Sequence, residues 1–417
     1  MRLKINGTTF SYESIEMEID PLNLPQWLGH QSIFPKVYIK DRDRPVERAA
    51  LGNLISFFEL PIFDEPPKKD VRLYGGMHFR PSQHDTLWSG FPPCLFWLPS
   101  HEIIQTPEKT ILILHFIHEP ATLDAKQALH FHLEPLHSRL SSLERMEDAL
   151  AQEQWHEDIA FLLKNIESKT ISKAVLARAT TFQFDQPPSV WEIMALLKEK
   201  ALRASLFSFH LMPHVAFFGA TPEKLYQRHK SRIQIDALAG TYPLHCSAQD
   251  LLNDAKETSE FGWVKQFIET TVKHLSSHGR WQGEDRIMAT STVQHLYNQF
   301  EAMTDRNDRE LISALHPTPA TGGVPKEAAL ELISACEDFD RGWYAAPLGW
   351  ISYEESQLLV GIRSGLLRGN TMTLFSGAGI VKGSIAEKEW NETERKMHTL
   401  LSIFNPFVCT SGPITTA

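Results

Sequence analysis

The sequence predicts a mixed α/β (α+β) fold built as one compact unit, and three observations carry that prediction. Beyond residue 150, short strand patterns alternate with helical ones, several of them as hairpins. Before it, short apolar runs are broken by proline-rich segments, a strand and turn signal. No low-complexity linker and no repeat of fixed period divides the 417 residues. Length alone suggests two or three domains, but without a linker residues 1–150 read as a variable N-terminal part packed on a region, 151–408, that carries the chemistry.

The elements follow in order. FFELPIFDEPPKKDVRLYGGMHF, WSGFPPCLFWLPSHE and ILILHFIHE give strands separated by turns. The stretch from about 138 to 168 reads as helix, with Leu140, Leu143, Leu150, Ile159, Leu162 and Leu163 marking its apolar faces. SKAVLARATTFQF then reads as a strand and VWEIMALLKEKA as a helix, and SLFSFHLM, HVAFFGATPEKLYQR and RIQIDALAGTYP return to strands. AKETSEFGWVKQFIETTVKHL is a long helix, further strands follow it, and EKEWNETERKMHTLL closes the region as a helix after the glycine-rich turn LFSGAGIVKGS.

Composition narrows the class. Hydrophobic content of 42% with 22% charged residues is ordinary for a soluble enzyme, and no apolar run is long enough to span a bilayer. The N-terminus turns polar at once and lacks the apolar centre of a secretory signal, so no membrane association and a cytoplasmic setting are expected. A net charge of −10 disfavours nonspecific nucleic-acid binding, although an anionic small molecule remains possible where cations gather in a cleft. Cys94, Cys246, Cys336 and Cys409 form no CxxC and read as reduced structural thiols. His130, His132 and His137 lack an HExxH context and read as surface residues without metal. No coiled-coil seam appears, so a monomer is the default.

The chemistry-bearing residues lie beyond 150. Glu257 and Glu260, and separately Glu389 and Glu392, have i,i+3 spacing within helical patterns, so each pair puts two carboxylates on one helix face. Lys396 shares the face of the second pair. One such pair is most often solvated; two brought together would make an oxygen-rich cage for a hard cation such as Mg2+. Lys173 sits among apolar strand neighbours, which reads either as a desolvated amine suited to general-base work or as a strand-end lysine reaching water. Glu223, after a Thr-Pro turn, reads either as an acid at the rim of a cleft or as a helix N-terminal glutamate. The Gly377–Gly379 segment fails both GxGxxG and the Walker pattern, so its glycines suit close backbone approach to a carboxylate or ring instead.

Taken together, SKAVLAR, FFGATPEKL, DALAGTYP, AKETSEF, VQHLYNQFEA, LHPTPATGGVPK, DRGWYAAPLGWI, VGIRSGLL, LFSGAGIVKGS and EKEWNETERK resemble, in this order, the chorismate-binding enzymes. That family includes isochorismate synthases, salicylate synthases and the large subunits of anthranilate and aminodeoxychorismate synthases. FPKVYIKDRD and VRLYGGMHF also look like the menaquinone-type isochorismate synthases, which extends the resemblance over the first 150 residues. It implies large, mainly antiparallel sheets in a sandwich, flanked by helices and enclosing a deep cleft. It implies chorismate as substrate and Mg2+ as cofactor. By position, Lys173 matches the lysine that activates water and Glu223 the general acid. Glu260 and Glu392 match direct Mg2+ ligands, and Glu257 and Glu389 the carboxylates that support the metal through water. Thr241, His295, Ala320, Tyr344, Arg363, Gly379 and Lys396 match pocket positions, with Tyr344 and Arg363 expected on the enolpyruvyl carboxylate. Phe261 departs from the pattern, because many relatives have histidine there.

Three positions choose among the family's reactions. Lys173 stands where ammonia-using anthranilate enzymes have glutamine, which favours water as nucleophile. Ala239 stands where aminodeoxychorismate synthases show a nucleophilic lysine, which argues against covalent amination. Ala320 stands where anthranilate and salicylate synthases carry threonine, which favours release of isochorismate without loss of pyruvate; the adjacent Thr321 means that a one-residue slip in the alignment would change this inference. The expected activity is an isochorismate synthase, an isomerase, serving menaquinone formation. The alternatives are a salicylate synthase and a noncatalytic chorismate-binding protein.

Overall fold

The computed structural model describes residues 1–80, 87–117, 129–131, 143–148, 151–201, 203–276, 278–290 and 293–404. Among these residues the chain forms two large sheets of 13 and 10 strands, and the strand pairs are antiparallel throughout. Both sheets take strands from either side of residue 150. Lys36–Lys40 pairs with Ser205–Met212 in the first, and Leu73–Met77 pairs with Pro347–Ile351 in the second.

Alternation along the strands assigns each face its layer. Phe207, Phe209 and Phe217 point into the space between the sheets, where Tyr74, Trp97, Trp343, Tyr344 and Phe375 meet them. Their neighbours Leu206, Ala216 and Phe218 point the other way, under the helices Leu24–His30 and Val190–Lys200 and the end of Ala386–Leu401. The second sheet is covered by the helix Ala255–Leu275, which buries Phe261, Val264, Ile268 and Val272 on one stripe. Each such side chain contributes about 1.5–3 kcal/mol on full burial, so this stripe fixes the helix and the acidic turn at its start. The helices Gln152–Glu167 and Lys326–Cys336 pack over Ala174, Leu176, Ala378 and Ile380.

The helix expected from about 138 begins only at Gln152, and Leu143–Asp148 is a strand. It pairs with the edge of Lys173–Phe184, with Leu143 opposite Phe184. The leucine spacing fits a helical period, but an open strand edge offers a hydrogen-bonded ladder, and that non-local pairing decides the conformation. Leu140 and Leu150, along with His132, His137 and Cys409, lie outside the described residues. Cys94, Cys246 and Cys336 are free thiols. Among the described residues no helix is long and apolar enough to cross a membrane.

Candidate active site

Glu223, Thr241, Glu260, His295, Ala320, Tyr344, Arg363 and Lys396 line one cavity. The other sequence-selected residues stand directly behind its wall. Lys173, the first residue of the strand Lys173–Phe184, is fully buried. Its Nζ donates to Glu260 Oε1 at 2.8 Å. The apolar neighbours expected of this strand are present, but the amine has a carboxylate partner rather than a purely apolar environment. Gly379, on Thr371–Val381, lies beside this pair. A Cβ there would stand 2.5 Å from Glu260 Oε1 and 3.2 Å from Lys173 Cε. Gly379 therefore leaves room for the two side chains to meet.

The two acidic helix turns converge behind Glu260. Asp254 caps the helix Ala255–Leu275 by accepting from the amides of Lys256 and Glu257. Glu257 Oε2 accepts from the Thr241 amide at 2.8 Å, and Gly240, at φ +69°, brings that strand against it. Glu392 accepts from Lys396 at 2.7 Å, and the same amine donates to the Gly377 carbonyl at 2.8 Å. Lys256 joins the two helices, reaching Glu389 at 2.8 Å and Glu257 at 3.6 Å.

Burial, followed by the neighbouring Glu260, pushes Glu257 up to about 7. Burial and then Glu392 push Glu389 upward as well. Glu392 is also buried, but Lys396 draws it below the ordinary range. Carboxylates that raise one another's pKa in this way are crowded like charges. Among the described residues no three acidic, histidine or cysteine side chains already stand as a complete ligand set. The donor chemistry is nevertheless all carboxylate oxygen, which fits a hard dication able to relieve that crowding.

Glu223 lies in the turn between the strands Val215–Thr221 and Lys224–His229. It is 3% exposed, so it sits within the cavity wall rather than at a rim, and a strand follows it, not a helix. Its amide donates to Thr221 Oγ1 at 3.2 Å and its carbonyl accepts from the Val360 amide at 3.1 Å. Burial, then the nearby Asp236, push its carboxyl up to about 8, against the pull of Lys173, Arg42 and Lys396. At neutral pH it carries a proton it can donate.

Arg363, also lining the cavity, adopts φ +50°, a left-handed conformation rare for a residue with a side chain. Its carbonyl is held by the Ala220 amide at 3.1 Å. Burial lowers its guanidinium to about 10, which still leaves it charged at neutral pH. Burial and the adjacent Arg363 lower His295 to about 3, so the imidazole is neutral. His295 Nδ1 lies 2.9 Å from the Gly240 carbonyl and donates to it, which leaves Nε2 an acceptor 3.4 Å from Arg363 Nη2. Tyr344 stacks on Phe375 with ring centroids 5.2 Å apart. The cavity thus combines a protonated carboxyl, a buried amine, two cations and an acidic cluster.

Sequence reasoning missed Lys256, Arg42, Asp236 and Arg341. Lys256 had a local signal, as the cation next to Glu257. Arg341 binds the carbonyls of Val175 and Thr321 at 2.7 and 2.8 Å and so braces two strands of the cavity wall. Arg42 and Asp236 meet only through the fold.

Comparison with known proteins identifies the family. The chorismate binding enzyme family model matches residues 61–405. The isochorismate synthase MenF of Haemophilus influenzae is 30% identical over 93% of this chain and 91% of its own length. The enzyme of the same name from Escherichia coli is 29% identical over 92% of each. Among solved structures, the menaquinone-specific isochorismate synthase MenF from Escherichia coli aligns with a TM-score of 0.84 at 26% identity, covering 97% of this chain and 96% of that one. Anthranilate synthase component I from Streptococcus pneumoniae, at 18% identity and a TM-score of 0.70 over 90% of this chain and 94% of that one, shares the fold. On the match of the family model over most of its length, this chain belongs to the chorismate binding enzymes.

Proposed function

We propose that the protein is an isochorismate synthase, an isomerase that converts chorismate to isochorismate for menaquinone formation. The observation that carries the mechanism is a single cavity lined by the buried Glu223 and by Glu260, with Lys173 behind the wall donating to Glu260. Near full-length similarity to enzymes named isochorismate synthase supports the choice of reaction.

Water attacks C2 of the ring, the double bonds shift and the C4–O bond breaks. Lys173 takes the proton of the attacking water, and Glu260 beside it compensates the charge that develops on the amine. Glu223 gives its proton to the departing hydroxyl, so atoms and charge balance without an oxidant or reductant. Arg363 and Lys396 supply the positive charge that a dicarboxylate needs in a protein of net charge −10. Tyr344 and Arg363 hold the enolpyruvyl carboxylate, and neutral His295 accepts a hydrogen bond without adding charge. Glu260 and Glu392 would hold Mg2+ directly, with Glu257 and Glu389 supporting it. Bound there, the ion would compensate and orient the ring carboxylate. Ala320 brings no hydroxyl to the cavity, which favours release of isochorismate over loss of pyruvate. A monomer working in the cytoplasm completes the proposal.

Incubation of the purified protein with chorismate, with and without Mg2+, and chromatographic separation of isochorismate, salicylate, anthranilate and pyruvate tests this reading. Metal-dependent isochorismate without pyruvate is expected. Salicylate with pyruvate, or no product, would overturn it.

A further inference from the structure

The turn at 41–44, Asp-Arg-Asp-Arg, joins the N-terminal strands Lys36–Lys40 and Glu47–Leu51, yet it docks against the segment Pro222–Lys224, of which Pro222 and Glu223 line the cavity. Arg42 is 2% exposed and Asp236 1% exposed, and they form an ion pair at 3.0 Å. A buried pair of this kind loses hydration on both sides and is weak evidence of stability by itself. Its hydrogen bonds show a more specific arrangement. Arg42 Nη1 donates to the carbonyl of Pro222, the residue before Glu223. Asp236 Oδ2 accepts from the amide of Lys224, the residue after it, at 3.2 Å.

The rest of the cluster fixes the pair in place. Tyr297 and Gln299 donate to the other Asp236 oxygen at 3.1 and 3.2 Å. Lys224 Nζ binds Asp41 at 2.9 Å and Asp43 at 2.8 Å, so the same turn also grips the side chain next to the acid.

We propose that the Arg42–Asp236 ion pair is a positioning device for Glu223, clamping the main chain on both sides of it and aiming its carboxyl into the cavity. This rests on the reading of Glu223 as the general acid. Four ionisable groups from four elements face that carboxyl: Asp236 from Arg232–Pro243, Arg42 from the turn, Lys173 from Lys173–Phe184 and Lys396 from Ala386–Leu401. The clamp therefore contributes one charge of each sign to the field at the acid, as well as holding its backbone. It also gives the N-terminal part of the chain a role in the chemistry of the C-terminal part.

The test measures kcat and KM for R42K, D236N and E223Q from about pH 6 to 9.5, with thermal unfolding to confirm folding. R42K keeps the charge but loses the planar fork. Its kcat should fall about 10- to 100-fold, with KM near wild type and the alkaline limb of the profile unmoved. D236N removes a negative charge facing Glu223, so the acid loses its proton more easily and the alkaline limb moves to lower pH. A purely structural role would not move that limb. Wild-type kcat in R42K, or an unmoved limb in folded D236N, overturns the proposal; should D236N fail to fold, R42K alone decides. E223Q separates the two readings. Wild-type turnover there refutes the acid assignment itself, whereas an inactive E223Q beside an indifferent R42K refutes only the clamp.

Discussion

Replacing Gly379 by alanine separates function from stability more cleanly than any other change at this site. The new Cβ would lie 2.5 Å from Glu260 Oε1, and ordinary contact begins near 3.4 Å, so the carboxylate must retreat by about 0.9 Å. The atom in the way is the far end of a flexible side chain, which gives way at little cost to the fold. Gly379 has no positive φ, so alanine is tolerated in the strand and the stiffer unfolded chain returns about 0.4–1 kcal/mol. The catalytic effect is much larger. A displacement of about 1 Å in a catalytic group costs about 100-fold in rate, or about 2.7 kcal/mol at the transition state. G379A should therefore unfold within a few degrees of wild type while kcat/KM falls about 100-fold and Mg2+ binds more weakly by calorimetry. Wild-type kcat/KM in G379A would refute the assigned contact between Gly379, Glu260 and Lys173.

Other expectations follow from the same geometry. K173A and E223Q should each lose about 100-fold or more in kcat while retaining the fold by circular dichroism; near-normal activity in either rejects its role. Because burial raises Glu223 from 4.5 to about 8, the native state keeps a proton that the unfolded chain has released. That contribution to stability is intact below about pH 4.5 and declines as pH rises toward 8, by up to about 1.4 kcal/mol per unit. Denaturant titrations of E223Q should show a flatter profile over that window, and a slope equal to wild type would contradict the assignment. Mg2+ should raise the melting temperature by relieving repulsion among the four glutamates, with about 2.7 kcal/mol gained at 100-fold excess over Kd; an unchanged melting temperature at saturating Mg2+ would argue against the acidic cage. A320T should yield pyruvate detectable with lactate dehydrogenase, and its complete absence would remove Ala320 from the account of product choice.

The parts of the site legible in the sequence are those with local spacing or a family segment. The i,i+3 pairs Glu257/Glu260 and Glu389/Glu392 encode the acidic faces because helix geometry alone places both carboxylates together. The long helix Ala255–Leu275 was equally plain, since its apolar stripe runs unbroken from Phe261 to Val272. Glu223 was visible as a residue but not as a buried one, because its environment comes from Asp236, Arg42, Lys173 and Lys396 on four separate elements. The Arg42–Asp236 pair spans almost 200 positions and leaves no periodic trace in either segment. The strand at Leu143–Asp148 is hidden in the sequence for a related reason. Its leucines fit a helix, and only the edge of Lys173–Phe184 makes the extended form favourable.

The central claim is that solvent water, activated at Lys173, replaces the C4 hydroxyl lost through Glu223. Running the reaction to low conversion in 18O-enriched water and measuring isochorismate by mass spectrometry tests it most directly. The account predicts one solvent oxygen in each product molecule, located at C2. Unlabelled isochorismate would mean that the hydroxyl migrates within the substrate, and the assigned roles of Lys173 and Glu223 would fail together.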